Sequence, residues 1–164
     1  MQLPENLLSL DHLALSLKGK VLIIGIGNPL KNDDAAGSIL ASRLKEKLPC
    51  IVYDVGASPE NYLGKIIKDK PETIVIIDAV DFGAEPGEYA VFEASGIKTT
   101  NLFCTHNASI GLTINYLFNN LKVNIMLLAI QPKDIGLGDK LSPEIVETIT
   151  KLENWLYETV RQKG

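Results

Sequence analysis

The chain has 164 residues, 46% of them hydrophobic and 22% charged, which is the balance of a single globular domain with a sizeable core. Its formal net charge of −4 disfavours a nucleic-acid partner, because such partners usually require a basic face. No apolar stretch is long enough to span a bilayer, and the N-terminus lacks the basic start and uninterrupted apolar segment of a signal peptide. We therefore expect a cytoplasmic protein without membrane insertion.

The N-terminal segment, residues 1–19, is rich in leucine. Leucines recur every three or four residues from Leu3 to Leu17, and this spacing predicts an amphipathic helix. We expect this extension to dock on a single domain formed by residues 20–164. Binding of the helix to a partner is the alternative.

From Gly19 onward, short apolar runs alternate with segments of helical periodicity. Strands are predicted at residues 21–27, 51–55, 73–80, 87–94 and 124–132. Helices are predicted at residues 33–48, 59–70, 107–121 and 142–160. Ser142 and Pro143 are the predicted cap and first turn of the last helix.

Continuous apolar strands between helices are typical of a parallel sheet that is covered on both faces. The sequence therefore predicts an α/β fold, a three-layer α/β/α sandwich with a twisted, mostly parallel sheet of five strands. The segment 87–94 alternates in polarity and follows a Pro-Gly turn, so we expect it to form one antiparallel edge strand.

The first strand runs into a glycine loop, GIGNPLKNDD, at residues 25–34. A dinucleotide fingerprint would require a third glycine where this chain has Leu30. Asp33 and Asp34 occupy the place of a pyrophosphate, which their charges would repel, and no G-K-[ST] of a P-loop follows. The string GIGNP also resembles the first-strand loop of bacterial-type peptidyl-tRNA hydrolases. The tyrosine and histidine that follow it in that family are missing here.

Polar residues follow the predicted strands at the carboxyl ends, where sites form in parallel α/β sheets. They are Asn28, Asp33, Asp34, Asp54, Asp78, Asp81, His106 and Gln131. Some have structural alternatives, since Asp33 or Asp34 could cap the following helix and Asp54 could form a turn. Asp78 is harder to explain in this way, because a carboxylate at the end of a buried strand is costly unless it is paired or metal-bound.

The chain has two histidines. His106 lies in a strand-to-helix turn, whereas His12 lies in the leucine-rich N-terminal segment and is assigned no role. Two carboxylates and one imidazole suit a borderline divalent ion such as nickel, zinc or cadmium. Sequence spacing alone does not establish that such residues meet.

Five strings occur in order along the chain, namely GNPLKNDDAAG, DVGASPEN, IDAVDFGAEPGE, THNASIGL and IQP. Together they resemble the hydrogenase maturation proteases, the endopeptidases that finish the large subunits of [NiFe]-hydrogenases. The ASPEN, DFG-x-x-PGE, THN and IQP strings are most similar to the subgroup that serves hydrogenase 3 of formate hydrogenlyase and its archaeal relatives. The resemblance extends from about Val21 to Trp155, and the fold of that family agrees with the predicted sandwich.

The resemblance implies a metal-recognition site made of Asp34, Asp78 and His106. Some family members carry glutamate at the first of these positions, whereas the hydrogenase 3 subgroup has aspartate, as this chain does. An important aspartate in a D-G-G turn after the second strand corresponds to Asp54, but the match is partial because Val55 follows. The family is grouped by some with the aspartic proteases, although it lacks their D-[ST]-G dyad.

The implied function is removal of a short C-terminal extension from the large-subunit precursor once nickel has been inserted. The nickel belongs to the precursor, so no organic cofactor is expected, although other divalent cations could occupy the site in isolated protein. Asp34, Asp78 and His106 would complete the coordination of nickel and so orient the scissile bond.

A carboxylate, Asp54 or one of the three ligands, would then activate water, and the metal could also polarise the carbonyl. A monomer is expected, since the enzyme must admit a large partner. A non-proteolytic nickel-binding maturation chaperone is the alternative function, because the same three ligands would serve it.

Overall fold

A computed structural model describes residues 7–97 and 108–163 of the chain. His106, one of the predicted site residues, lies outside the described residues. Within the described ranges, no helix combines the length and the apolarity needed to cross a bilayer.

Helices and strands alternate along the chain much as the apolar pattern predicts. The strands are β1 (Val21–Ile26), β2 (Ile51–Gly56), β3 (Thr73–Ala79), β4 (Tyr89–Glu93) and β5 (Asn124–Ile130). The α-helices are α1 (Leu10–Ser16), α2 (Ala36–Leu44), α3 (Leu63–Asp69), α4 (Ala94–Ile97), α5 (Ala108–Asn120) and α6 (Pro143–Lys163). The short helix α4 was not expected.

Two helices begin differently from the prediction. The predicted helix 33–48 starts with a separate 3₁₀ turn, Asn32–Ala35, and the predicted helix 59–70 starts with the 3₁₀ turn Pro59–Tyr62. A 3₁₀ turn is tighter than an α-helix, and side chains in it follow a three-residue repeat. The acidic residues after the glycine loop therefore lie in a compact turn and not along the face of α2.

The five strands form one sheet in the order β2-β1-β3-β5-β4. Strands β2, β1, β3 and β5 are parallel, whereas β4 pairs antiparallel with β5 at the edge. The predicted mostly parallel sheet with one antiparallel edge strand is confirmed. All four parallel strands consequently end at the same edge of the sheet, which we call the carboxyl edge.

Helices cover both faces of the sheet, which confirms the predicted α/β/α layers. On one face, α1, α2 and α6 pack over a core that includes Leu13, Leu40, Leu44, Ile149, Leu152 and Leu156. On the other, α3 and α5 pack over a core that includes Ile66, Ile110, Ile114 and Leu117. Because both faces are buried, the strands β3 and β5 are apolar at most positions.

The N-terminal helix α1 docks on the first of these cores, as its leucine spacing led us to expect. Leu13 and Leu17 are buried, and Ser9 caps the helix by accepting a hydrogen bond from the backbone of His12 at 3.2 Å. Just before the helix, the backbone of Leu8 donates to the carbonyl of Val91 on the edge strand β4 at 2.8 Å.

Helix α2 crosses the sheet unusually closely, because glycines face each other at the crossing. A methyl group on Gly37 would lie 2.2 Å from the carbonyl oxygen of Ile77 and 2.4 Å from that of Ile26. One on Gly25 would lie 2.2 Å from the carbonyl oxygen of Gly37. The glycines near the first strand therefore serve helix–sheet contact, and this contact holds the start of α2 against the carboxyl edge.

Replacing Gly37 by alanine should destabilise the fold, because the new methyl group meets fixed backbone atoms. Overpacking costs about 1–3 kcal/mol even where side chains can yield, so we expect a loss of about 3 kcal/mol or more. Thermal and denaturant unfolding followed by circular dichroism would measure it.

Gly64 in α3 is the matched control, since a methyl group there would meet no atom within 4 Å. Gly64→Ala should leave stability unchanged or raise it by up to about 1 kcal/mol. Equal stability of the Gly37→Ala protein and the unmodified chain would contradict the close-contact interpretation.

Candidate active site

Polar residues gather at the carboxyl edge of the sheet. Asn28 follows β1, Asp54 lies near the end of β2, Asp78 lies near the end of β3, and Gln131 follows β5 directly. This is the edge at which parallel α/β sheets form their sites.

Asp78 is a buried carboxyl group in the middle of the sheet. Its side chain is 2% exposed and belongs to the same face as Ile74 and Ile76, the face that α3 and α5 cover. Burial and the neighbouring charge of Asp34 raise the pKa of Asp78 well above its ordinary value, although a hydrogen bond from the backbone of Ala79 opposes the shift. A positive charge at this place would favour the ionised carboxylate and so oppose the effect of both causes.

Asp34 is presented by the 3₁₀ turn Asn32–Ala35, which packs against β3. Its Oδ2 accepts a hydrogen bond from the backbone N–H of Asn28 at 3.1 Å, and its own N–H donates to the carbonyl of Lys31 at 3.0 Å. The side chain is half-buried. Asp34 therefore lies near enough to Asp78 for its charge to act on it, and its side chain is partly exposed to solvent.

Asp33 has a role that the sequence did not reveal. Its carboxylate is fully buried and accepts hydrogen bonds from the backbone of Lys133 and Asp134, each at 3.0 Å. It also accepts from the backbone and the hydroxyl of Ser142, each at 2.7 Å. No side chain caps the 3₁₀ turn or α2, which excludes the alternative in which Asp33 or Asp34 caps the helix.

The four hydrogen bonds decide the charge of Asp33. Burial raises its pKa, but the donors from Ser142, Asp134 and Lys133 outweigh burial, and the pKa lies below the ordinary value. Asp33 is thus an anion that joins the glycine loop to the segment 133–142.

Further contacts join the same two segments. The side-chain amide of Asn32 donates to Oδ2 of Asp134 at 3.1 Å, and the backbone of Lys140 donates to Oδ1 of Asn32 at 3.2 Å. The backbone N–H of Asn32 donates to the carbonyl of Gly138 at 2.9 Å. Asn32 adopts a left-handed φ of 44°, which asparagine tolerates better than most residues.

Asp54 lies on the opposite face of the sheet from Asp78. It shares a face with Val52, and its Oδ1 accepts hydrogen bonds from the hydroxyl of Ser38 on α2 at 2.5 Å and from the backbone of Gly56 at 3.1 Å. The carbonyl of Gly56 in turn accepts from Gly27 at 2.8 Å. Asp54 thus supports the start of the glycine loop.

Gln131 and Asp81 support the loop that follows β3. Oε1 of the buried Gln131 accepts hydrogen bonds from the backbone of Phe82 at 2.9 Å and of Ala84 at 3.2 Å. Its Nε2 donates to Oδ1 of Asp81 at 3.1 Å. These hydrogen bonds hold the loop after β3, which contains the DFG string, beside Gln131 of the IQP string.

The structure thus packs the turn that carries Asp34 against β3, on which Asp78 lies, whereas the side chain of Asp54 lies on the opposite face of the sheet from Asp78. Among the residues that the structure describes, no group of three His, Cys, Asp or Glu side chains is arranged to hold a metal ion. The third predicted ligand, His106, lies outside them. The helix α5 follows it by two residues, and α5 leads into β5, so the helix begins towards the carboxyl edge.

A cavity of 490 Å³ lies at the other edge of the sheet, where the parallel strands begin. Its lining is mainly apolar and includes Leu17, Leu48, Cys50 and Val160. Burial raises the pKa of the Cys50 thiol to about 11, which makes it a poor nucleophile. The carboxyl edge, where the polar residues gather, is therefore the better candidate for the site.

Comparison with known proteins bears on what such a site does. The family model HycI, described as hydrogenase maturation protease, matches residues 36–159, a range that contains Asp54 and Asp78 and begins two residues after Asp34. The hydrogenase 3 maturation protease of Escherichia coli K12 is 33% identical over 143 residues, which cover 82% of this chain and 89% of that protein.

Solved structures agree. The crystal structure of the [NiFe] hydrogenase maturation protease HycI from Thermococcus kodakarensis matches with a TM-score of 0.81 and 31% identity, over 93% of this chain and 99% of that chain. The solution structure of the endopeptidase HycI from Escherichia coli matches with a TM-score of 0.75 and 27% identity, over 85% of this chain and 90% of that chain. The protein is a hydrolase, an endopeptidase. It belongs to the hydrogenase maturation protease family.

Replacing Asp78 by asparagine should stabilise the isolated protein at neutral pH. The pKa of Asp78 is raised in the folded state, so its contribution to stability is complete below the ordinary pKa of about 4 and is lost as the pH rises through the raised pKa. Asparagine removes this loss. We expect a melting temperature higher by a few degrees at neutral pH, corresponding to about 1 kcal/mol, and no difference near pH 3.

Asp139→Asn is the control, because Asp139 is an exposed carboxylate in the loop before α6, and it should leave the melting temperature unchanged. If Asp78→Asn melted at or below the unmodified protein at neutral pH, burial of this carboxylate would not be unfavourable.

Proposed function

We propose that this endopeptidase removes a short C-terminal extension from the large-subunit precursor of a [NiFe]-hydrogenase after nickel has been inserted. Family membership supports the hydrogenase substrate, because maturation of hydrogenases is what the family does. The acid pair at the carboxyl edge supports recognition of a metal. In this proposal the nickel is part of the substrate and the enzyme carries no organic cofactor.

The observation that carries the proposal is that the turn with Asp34 packs against β3, where the charge of Asp34 reaches the buried Asp78. The charge of Asp34 is one of the causes that raise the pKa of Asp78, so the two carboxyl groups interact unfavourably as anions. A divalent cation between them would convert this repulsion into attraction. A precursor that presents such a cation therefore binds more strongly than one that does not.

We assign the third contact to the metal to His106. A mixed set of two carboxylates and one imidazole suits a borderline ion such as nickel. The order of elements supports the assignment, since α5 begins two residues after His106 and packs on the face towards which Asp78 points.

Coordination by these three residues would hold the precursor tail in a fixed orientation, which can lower the barrier to cleavage substantially. A carboxylate of the site then activates the attacking water. We assign this step to the acid pair, because Asp54 lies on the other face of the sheet, where Ser38 and Gly56 engage it. We further expect the protein to act as a monomer in the cytoplasm.

The proposal is tested with the full chain and a nickel-loaded precursor, by reading the mass of the precursor. The unmodified chain should remove a C-terminal peptide, and His106→Ala should reduce the rate by at least about 100-fold, because one ligand to the metal and its orienting effect are lost.

His12→Ala is the matched control. His12 lies on α1, and its Nε2 is 3.7 Å from Oε1 of Glu93. It lines a pocket with Thr73 and Asn124, at the end of the sheet where β3 and β5 begin. This variant should cleave at the rate of the unmodified chain. Native cleavage by His106→Ala would remove this histidine from the site, and binding of nickel without any cleavage would favour the chaperone alternative.

The same assay distinguishes the two roles of Asp54. An asparagine side chain keeps an oxygen that can accept the hydrogen bonds from Ser38 and Gly56. Its amide cannot act as a general base. Asp54→Asn should therefore retain cleavage within about tenfold of the unmodified rate, whereas loss of a general base typically costs about 10²–10⁴ in rate. A loss of the larger size would assign the base to Asp54.

A further inference from the structure

We propose that Asp33 is a positioning residue for the cleavage reaction, because its carboxylate ties the turn that carries Asp34 to the segment 133–142. This inference rests on the proposed function. It assigns a role in the reaction to a residue that is neither a metal ligand nor a base.

The segment 133–142 supplies four hydrogen-bond donors to the Asp33 carboxylate. Oδ2 accepts from the backbone of Lys133, the backbone of Asp134 and the hydroxyl of Ser142, and Oδ1 accepts from the backbone of Ser142. A carboxylate offers about four lone-pair sites, so four donors leave it little capacity for a metal or a water. With its side chain fully buried, Asp33 can act on the substrate only through another residue.

Asp34 is the residue through which it acts. The two lie next to each other in a 3₁₀ turn of four residues, and the backbone N–H of Asp33 adds a further bond to the carbonyl of Asp134 at 2.9 Å. The Asp34 carboxylate accepts a longer hydrogen bond, at 3.1 Å, from the backbone of Asn28. Rotation of Asp33 would therefore shift the turn and change the position of Asp34.

The segment 133–142 is a firm reference for this turn because it leads directly into α6. Ser142 immediately precedes the helix, and Ile145 and Ile149 in its first turns are fully buried in the core. The hydrogen bonds of Asp33 thus fix Asp34 relative to the helix layer as well as to β3. A purely local cap on α2 would not provide this link.

Asparagine at position 33 would present an amide N–H₂ to a set of N–H and O–H donors. At least one hydrogen bond is lost, two donors face each other, and the turn must shift. A displacement of about 1 Å in a group that orients the reaction can cost on the order of 100-fold in rate.

The experiment compares Asp33→Asn, Ser142→Ala and Ser142→Thr with the control Asp139→Asn. Asp139 is an exposed carboxylate in the same segment. The full chains are assayed with nickel-loaded precursor well below the melting temperature of each variant. Asp33→Asn should lower kcat about 100-fold, and KM should rise as well, because a displaced Asp34 also weakens binding of the metal-bearing precursor. Ser142→Ala should lower kcat about tenfold, Ser142→Thr should restore it by keeping the hydroxyl, and Asp139→Asn should match the unmodified chain.

A second readout does not depend on activity. The amide N–H of Asn28 donates to Asp34, so its position in a ¹H–¹⁵N NMR spectrum reports where the Asp34 carboxylate lies. It should shift in Asp33→Asn and in Ser142→Ala, and return to its original position in Ser142→Thr.

Native kcat in folded Asp33→Asn, or a fall in kcat with the Asn28 amide unmoved, would overturn the positioning role. If Asp33→Asn does not fold, the two Ser142 variants decide, and equal kcat in both would overturn the proposal. If the unmodified chain cleaves no precursor, the proposed function fails, while the Asn28 amide still tests whether Asp33 positions Asp34.

Discussion

The arrangement of this protein depends on two carboxyl groups that are held together at the carboxyl edge of a buried sheet. Asp78 is almost entirely removed from solvent, and the charge of Asp34 adds to the cost of ionising it. A cost of this kind is retained where it serves a function, and a cation brought by the substrate would relieve it. In the proposed function, selectivity for a metal-loaded precursor would follow from this electrostatic cost.

The surrounding structure holds the acid pair in place. Gly37 lets α2 lie directly on β1 and β3, which brings the turn with Asp34 over the end of the sheet. At the start of the glycine loop, Asp54 accepts a hydrogen bond from the backbone of Gly56, and the carbonyl of Gly56 accepts one from the backbone of Gly27. At the other end, Asp33 fixes the turn against the segment that begins α6. Three aspartates in this region thus have different tasks, because their environments differ.

The sequence predicted the layers of the fold well, because continuous apolar runs and helical periodicity are local signals that burial on both faces imposes. It could not predict the task of Asp33, whose donors lie about one hundred or more positions later and are mainly backbone groups that any sequence supplies. Nor could it place Asp54, since the face of a strand end depends on pairing, and the register between β1 and β2 shifts just after Asp54. Burial of Asp78 was readable because an unbroken apolar run, residues 74–77, precedes it in its strand.

Nickel dependence is the most direct test of the proposed recognition of metal by the acid pair. The same hydrogenase large-subunit precursor would be prepared with and without inserted nickel, incubated with the full chain, and weighed by mass spectrometry. Loss of a C-terminal peptide from the nickel-loaded form alone is the predicted result. Cleavage of both forms at the same rate would contradict it, because Asp34 and Asp78 would then have no cation to recognise.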